Sequence, residues 1–260
     1  MNQDMIERKQ NTEQIRQYFN FCLDDTPYTG IFGVANFGKV ANDLMPVQQA
    51  KLEEICQQQY SRLMQVGSII SIGIVYLESI IDCINVKKNG IFDKVKWNIY
   101  AREYQTINRL LNEITSKIIK QYGGISILAT LEGMATEVSH VDEYFRHTIS
   151  HRVVSEHAGL GWRGKNELVV NPLYSCAIRF ASIVTTHPLL QNKKLKLSCG
   201  NCTACLEICP FLKKKDHIEN YRENCRQYIN ALDLEDEVCG KCILACYRHG
   251  IFKDQFQLPK

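Results

Sequence analysis

IISIGIVY, residues 69–76, is the segment on which the fold turns. Isoleucine and valine fill it with hardly a polar break, and a strand that does not alternate is covered on both faces. Helices must therefore flank it. Upstream, Ile6, Ile15, Phe19 and Cys22 recur among polar neighbours, which predicts an amphipathic helix over 2–22, followed by a short buried strand over 31–35. After Pro46 a second helix runs through Leu52, Ile55, Cys56, Tyr60 and Leu63 and ends before Gly67. Downstream, Ile107, Leu110, Leu111, Ile114, Ile118 and Ile119 sit at helical spacing within 100–119, and Gly123-Gly124 stops them. A strand over 125–130, a helix over 144–157 and two strands over 168–171 and 177–185, paired with each other, complete the series. Alternating helices and strands predict an α/β chain, strictly α+β, with a sheet sandwiched by helices.

Beyond residue 190 periodicity gives way to cysteines: Cys199-x2-Cys202-x2-Cys205-x3-Cys209-Pro210, then Cys225, then Cys239-x2-Cys242-x3-Cys246. The change after Pro188 divides the chain into an α/β domain over 1–190 and a small module over 191–260. Three cysteines two residues apart can aim at one iron–sulfur cubane. Cys209 lies one residue further along, and in two-cluster ferredoxins that fourth cysteine serves the other cluster. Pro210 keeps a helix from running back through it. On this logic Cys199, Cys202, Cys205 and Cys246 hold one [4Fe–4S] cluster, and Cys209, Cys225, Cys239 and Cys242 hold the other. The second run departs from the ferredoxin pattern, with its first ligand moved upstream to Cys225 and Tyr247 where proline usually follows. Zinc and disulfides compete for the same residues, but structural zinc sites use paired knuckles rather than a triple. The expected chemistry is electron transfer.

The 260 residues suffice for one substantial core and a small appended module. No apolar run reaches the length of a bilayer span, and the polar start over 1–11 does not read as a signal sequence, so a cytoplasmic protein with no membrane partner is expected. Twelve cysteines without a leader point to a reducing compartment. Cys22, Cys56, Cys83 and Cys176 have the role of small buried hydrophobes by default. A net charge of +3 is too small to mark a nucleic-acid protein. Lys193, Lys194 and Lys196, with Lys213, Lys214 and Lys215, concentrate positive charge beside the cysteines. That face is read as solvated, the sharper alternative being a dock for an acidic electron donor or a phosphate backbone.

Gly159-Leu-Gly-Trp-Arg-Gly164 formally satisfies G-x-G-x-x-G. Dinucleotide loops join a strand to the helix after it, with phosphate at the helix N-terminus. Here a helical pattern precedes the glycines and a strand pattern follows, which argues against that use. Gly164-Lys165 is no P-loop either, because the spacing and the residue after lysine are wrong. A helix-to-strand turn with Gly159 as helix stop is the plain structural alternative.

Ala158-Gly-Leu-Gly-Trp-Arg-Gly-Lys-Asn-Glu-Leu-Val-Val-Asn-Pro172 resembles the AGLGWxGKNxLLxNP signature of epoxyqueuosine reductases, with Arg152 standing where that family has its glutamate–arginine pair. The order of a strand at 69–76, Tyr-Ala-Arg at 100–102 and the cysteines at 199–246 is similar too. The resemblance implies a nitroreductase-like sheet–helix sandwich that binds cobalamin with its lower base detached, followed by a ferredoxin-like double [4Fe–4S] module. More distantly the plan resembles reductive dehalogenases. Carried over residue by residue, Arg152, Gly159, Gly161, Gly164, Lys165 and Asn166 become cofactor-site candidates. Backbone N–H groups of a glycine turn, with Lys165 and Arg152, can satisfy the amide and phosphate oxygens of a corrin. No Asp-x-His-x-x-Gly motif supplies a histidine to cobalt, in keeping with a detached base.

The departures bear on catalysis. Phe145 falls where the family has its proton-donating aspartate, and Asp142 lies three residues upstream. The family's histidine after Tyr-Ala-Arg is absent, and Ser175-Cys176 replaces Gly-Ser after the Asn-Pro strand. The chain also runs only to Lys260, without the helical extension with which longer members hold tRNA. Asp142, and after it His147 or His151, which share a helix face at i, i+4, are the candidate proton donors. The expected function is an iron–sulfur reductase, cobalamin-dependent and similar to epoxyqueuosine reductase, acting on a small molecule or modified nucleoside and fed by a ferredoxin or flavodoxin. One alternative is an electron carrier that reduces a corrinoid or other cofactor on a partner protein. The other is a flavin-dependent reductase.

Overall fold

The computed structural model describes residues 3–129 and 137–249. Residues 69–76 form the centre of the molecule as strand β2 (Ser68–Val75), buried along its whole length. It lies between β1 (Gly30–Asn36) and β8 (Ile178–Thr185), and β5 (Ile125–Ile127) adds to β8, giving a sheet of order β1-β2-β8-β5. Every pairing is antiparallel, with Ile72 opposite Phe32 on one side and Ala181 on the other. The chain is a mixed α/β protein, and its sheet is covered on both faces as the unbroken apolar run requires.

The two faces differ in what packs on them. Ile70, Ile72 and Ile74 point to one side, where α1 (Gln3–Phe21) brings Ile15 and Phe19 and α6 (Lys94–Tyr122) brings Ile107, Leu111, Ile114 and Ile118. Fully burying each such side chain contributes about 1.5–3 kcal/mol. On the other side Ile69 meets α2 (Phe37–Asp43), α3 (Pro46–Cys56) and α4 (Tyr60–Val66). The same face of β2 is small where Ser71 and Gly73 stand. There α8 (His151–His157) approaches closely enough for Ser155 Oγ to lie 3.0 Å from Ser71 Oγ.

Three elements differ from expectation. The helix over 144–157 is two helices, α7 (Val141–His147) and α8, because Thr148 is extended and Ser150 caps α8 by accepting from the Val153 N–H. His147 and His151 therefore do not share a helix face. The helix after Pro46 is interrupted at Gln57, whose φ of 48° is left-handed. The strand over 168–171 does not pair with that over 177–185: β7 (Val169–Val170) pairs with β6 (Trp162–Arg163), while β8 is occupied by β2 and β5. An isolated bridge from Asn171 reaches only Ser175, short of β8. The strand expected over 125–130 ends at Ile127, and Thr130 lies outside the described residues.

Short helices organise the cysteine-rich end: α9 (Ala204–Ile208), α10 (Pro210–Lys213), α11 (Tyr221–Leu232) and α12 (Lys241–His249). Val238 and Ile243 belong to the same buried cluster as the isoleucines of β2, so this end packs directly on the sheet domain. Among the described residues no helix is long and apolar enough to cross a membrane.

Candidate redox site

The cysteines are placed by turns and helix ends. Cys202 N–H donates to Cys199 O at 3.0 Å across Gly200, whose φ of +48° suits glycine. Cys205 rides on α9 and Cys225 on α11, while Cys242 and Cys246 sit one turn apart on α12. Cys209 is extended and caps α10, with Pro210 in the first helical position. The Cys242 thiol donates to Cys209, and with the Phe211 and Leu212 N–H groups and Lys241 it brings Cys209 down to about 6 despite burial. Cys242 is raised correspondingly.

Their fields sort the thiols into two groups of four. Cys205 feels Cys246, Cys199 and Cys202, and burial followed by these like charges raises it to about 11. Cys242 feels Cys209, Cys239 and Cys225. Burial, then Cys239 and Cys209, pushes Cys225 up to about 12. Such thiols stay protonated unless a cation compensates them. Among the described residues all twelve cysteines are free, and no group of three or more His, Cys, Asp or Glu is drawn together around a single metal ion.

Residues 158–170 fasten the first group to the sheet domain. Trp162 Nε1–H donates to Cys199 Sγ at 3.4 Å, and Lys165 Nζ donates to Gly200 O at 2.8 Å. Asn166 is buried and donates to Cys176 Sγ at 3.3 Å. The glycines serve close backbone packing. A Cβ on Gly161 falls 2.5 Å from Val170 O, one on Gly164 falls 2.6 Å from Asn166 Oδ1, and Gly159, at φ +70°, abuts Lys193 O.

Beside this segment a cleft of about 710 Å³ opens between α3, α7, α8 and the sheet. Its apolar walls include Ile127, Leu128, Ile149 and Phe180, and four arginines converge on it: Arg152, Arg163, Arg179 and Arg222. Arg152 is half-buried, donates to Glu167 O, and leaves its Nε buried without a hydrogen-bond partner. Glu167 also lies 3.6 Å from Arg222 and 3.8 Å from Lys215. Arg163 donates to Glu156 at 2.9 Å, and Arg179 donates to Asn108 at 3.0 Å while lying 4.2 Å from the centre of the Tyr104 ring. Cys176 and Ile243 close the cleft on the cysteine side. There the Cys176 thiol and N–H donate to Cys246, holding it at about 7.

Of the residues singled out from sequence, Arg152, His147 and His151 line the cleft, whereas Gly159, Gly161, Gly164, Lys165 and Asn166 do not. Asp142 is also outside it. Its carboxylate is 69% exposed in the first turn of α7, 3.3 Å from His140, while Phe145 turns into the cleft. His151 bridges Ser182 Oγ (2.9 Å) and Leu128 O (2.7 Å), and burial lowers it to about 4. It is neutral near pH 7, so the imidazolium expected there is not available. Among the described lining residues the single carboxylate is Asp43, engaged by His157 at 2.6 Å. Arg179 and Cys176 escaped the sequence reading, although an arginine as the one charge inside a mostly apolar strand, IRFASIVT, is itself a signal.

No protein-family model matches the chain. Its sequence is similar to the epoxyqueuosine reductase of Bacillus cereus, 26% identical over 147 residues that cover 55% of this chain and 34% of that protein. To the epoxyqueuosine reductase of Escherichia coli it is 33% identical over 89 residues, 34% of this chain and 23% of that one. The matched stretch thus spans about a third of the length of the first of these relatives. The structure of epoxyqueuosine reductase from Streptococcus thermophilus overlies 95% of this chain and 67% of its own at 14% identity, with a TM-score of 0.49.

Proposed function

For a chain that is epoxyqueuosine reductase-like in sequence, we propose an iron–sulfur oxidoreductase in which two [4Fe–4S] clusters feed a cobalamin held in the cleft. The observation that carries this is adjacency. Cys176 and Ile243 wall the cleft while Cys176 hydrogen-bonds Cys246 and Ile243 follows Cys242 on α12. A group in the cleft therefore lies one side-chain layer from both sets of four thiols. The cleft suits a large flat ligand rimmed with amides and carrying a phosphate. Its volume falls in the range of cofactor sites, its walls combine apolar side chains with four arginines, and the buried Arg152 Nε lacks an acceptor.

Arg152 and Arg222, steadied by Glu167, would hold the amide or phosphate oxygens of the cofactor. Bound cobalamin in its lowest oxidation state supplies a two-electron nucleophile. Around it Phe145, Ile149 and Phe180 exclude water, and neutral His151 fixes the inner wall through Ser182 and Leu128. His147, exposed on the cleft wall, is the candidate to pass a proton to substrate. The substrate class is a small molecule or modified nucleoside, and the electrons come from a low-potential carrier protein in the cytoplasm.

Anaerobic reconstitution tests the proposal. About eight iron and eight sulfide per chain are expected, with cobalamin bound stoichiometrically and showing a base-off spectrum. Zinc in place of iron removes the cluster assignment. Tight flavin uptake without corrin selects a flavin reductase on the same scaffold, and clusters that bind neither select an electron carrier for a partner's corrinoid.

A further inference from the structure

At the edge of the molecule nearest the second thiol group, the chain makes a small hairpin that the core does not need. Strands β3 (Lys87–Lys88) and β4 (Ile91–Phe92) are joined by Asn89 and Gly90, both left-handed at φ 54° and 81°, the geometry of a tight two-residue turn. Its apolar residues face solvent: Ile91 is 76% exposed, Phe92 42%, and Val95, in the first turn of α6, 75%. Lys87, Lys88, Lys94 and Lys96 surround them, all exposed. The carboxylates on this face are engaged locally. Asp93 accepts from the Lys96 N–H and Asp233 from Lys94 Nζ, while Glu235 pairs with Arg102. An exposed apolar centre inside a cationic rim has the make-up of a protein-binding patch.

What lies beneath it says which protein. The Phe92 ring packs on Trp97 with centroids 5.5 Å apart, and Trp97, almost wholly buried, donates from Nε1 to Cys239 O at 3.0 Å. Lys241, beside Cys242 in the chain, lies 5.1 Å from the Phe92 ring and 5.7 Å from that of Trp97. Two rings therefore lead from solvent to the backbone of a cysteine in the Cys209, Cys225, Cys239 and Cys242 group.

We propose that this hairpin is the docking face for a small acidic one-electron carrier of the ferredoxin type, with Phe92 and Trp97 bridging it to that group of cysteines. The inference rests on the cluster reading above and adds the port by which electrons enter. In each encounter the reduced carrier loses one electron and the cluster gains it; no bond forms and no proton moves. The lysine rim speeds encounter and makes it salt-dependent, and a small patch suits a complex that must part after each transfer. The lysines at 193–196 and 213–215 carry comparable charge, with Lys194 drawn to Asp43 and Glu156 and Lys215 to Glu167 as Lys94 is to Asp233, but the ring-to-ring path to Cys239 starts at the hairpin.

The test uses cluster-loaded protein and an oxidised acidic [4Fe–4S] ferredoxin, with binding measured by titration calorimetry at low and high salt. Iron content is measured first, so a failure of the cluster reading shows itself before any binding experiment. Lys87→Glu/Lys88→Glu should retain full iron and weaken binding about tenfold or more at low salt, with a flattened salt dependence. Lys213→Glu/Lys214→Glu should leave binding unchanged. Ile91→Ser, which alters the apolar centre without a change of charge, should weaken binding at both salt concentrations. No binding by the parent protein, unaltered binding by the hairpin variants, or loss confined to the 213/214 variant overturns the proposal.

Discussion

Replacing Gly161 by alanine distinguishes a glycine loop that cradles a ligand from one that packs against its own strand. The added Cβ would stand 2.5 Å from Val170 O and 2.6 Å from Val169 Cγ1, against β7, whose Val169 also lines the cleft although Gly161 does not. Backbone cannot yield as a flexible side chain does, so β6 and β7 must separate. Overpacking of this kind costs about 1–3 kcal/mol. In a chain of this size each kcal/mol lowers Tm by about 2–4 °C, so a fall of about 2–12 °C is expected. Because β6 carries Trp162, the same displacement draws the indole N–H away from Cys199. Thermal unfolding followed by circular dichroism on reconstituted protein measures the first effect, and cobalamin titration by visible absorption shows whether the cleft is touched. Unchanged Tm with abolished corrin uptake would refute the packing account and return the glycines to the ligand.

Other outcomes follow from single contacts. Trp162→Phe removes the N–H bound to Cys199 Sγ, and since such hydrogen bonds raise cluster potentials, one of two signals in an EPR redox titration should move to lower potential while the other stays. His151, with its ordinary value of 6.5 lowered to about 4 by burial, is neutral in the fold. Stability is therefore complete above pH 6.5 and is lost as pH falls through 6.5 toward 4. Linkage bounds the loss at about 3 kcal/mol, and partial access to the cleft roughly halves it. Urea unfolding at pH 7 and pH 5 should show the difference shrink in His151→Asn. With Phe145 in the cleft and Asp142 outside it, reduction of epoxyqueuosine in tRNA should be negligible in the loaded protein. Efficient turnover that Asp142→Asn abolishes would show that α7 rearranges around substrate.

Much of the architecture was legible from local pattern. A strand as uninterrupted as residues 69–76 has to be central, since no single covered face could take isoleucines at 69, 70, 72 and 74 together. Gly123-Gly124 ends α6 because its left-handed φ values cost glycine nothing. What failed were the places where a few polar residues outweigh apolar spacing. Ser150 caps a new helix and splits 144–157, and β8 goes to β2, which leaves β7 to pair with β6.

The inventory is legible along the chain alone: eight cysteines at cluster spacing, a glycine-rich signature and a covered sheet. Spacing along a chain limits which sulfurs can turn toward one another, and that limit needs no tertiary structure. Which way the signature faces was decided only by folding. Its glycines touch Val170, Asn166 and Lys193, its tryptophan and lysine reach the Cys199–Gly200 turn, and the cleft is lined instead by arginines from α8, β6, β8 and α11. Those arginines lie at 152, 163, 179 and 222. No periodicity links such positions, because only the packing of helices and hairpin on the sheet brings them to one wall.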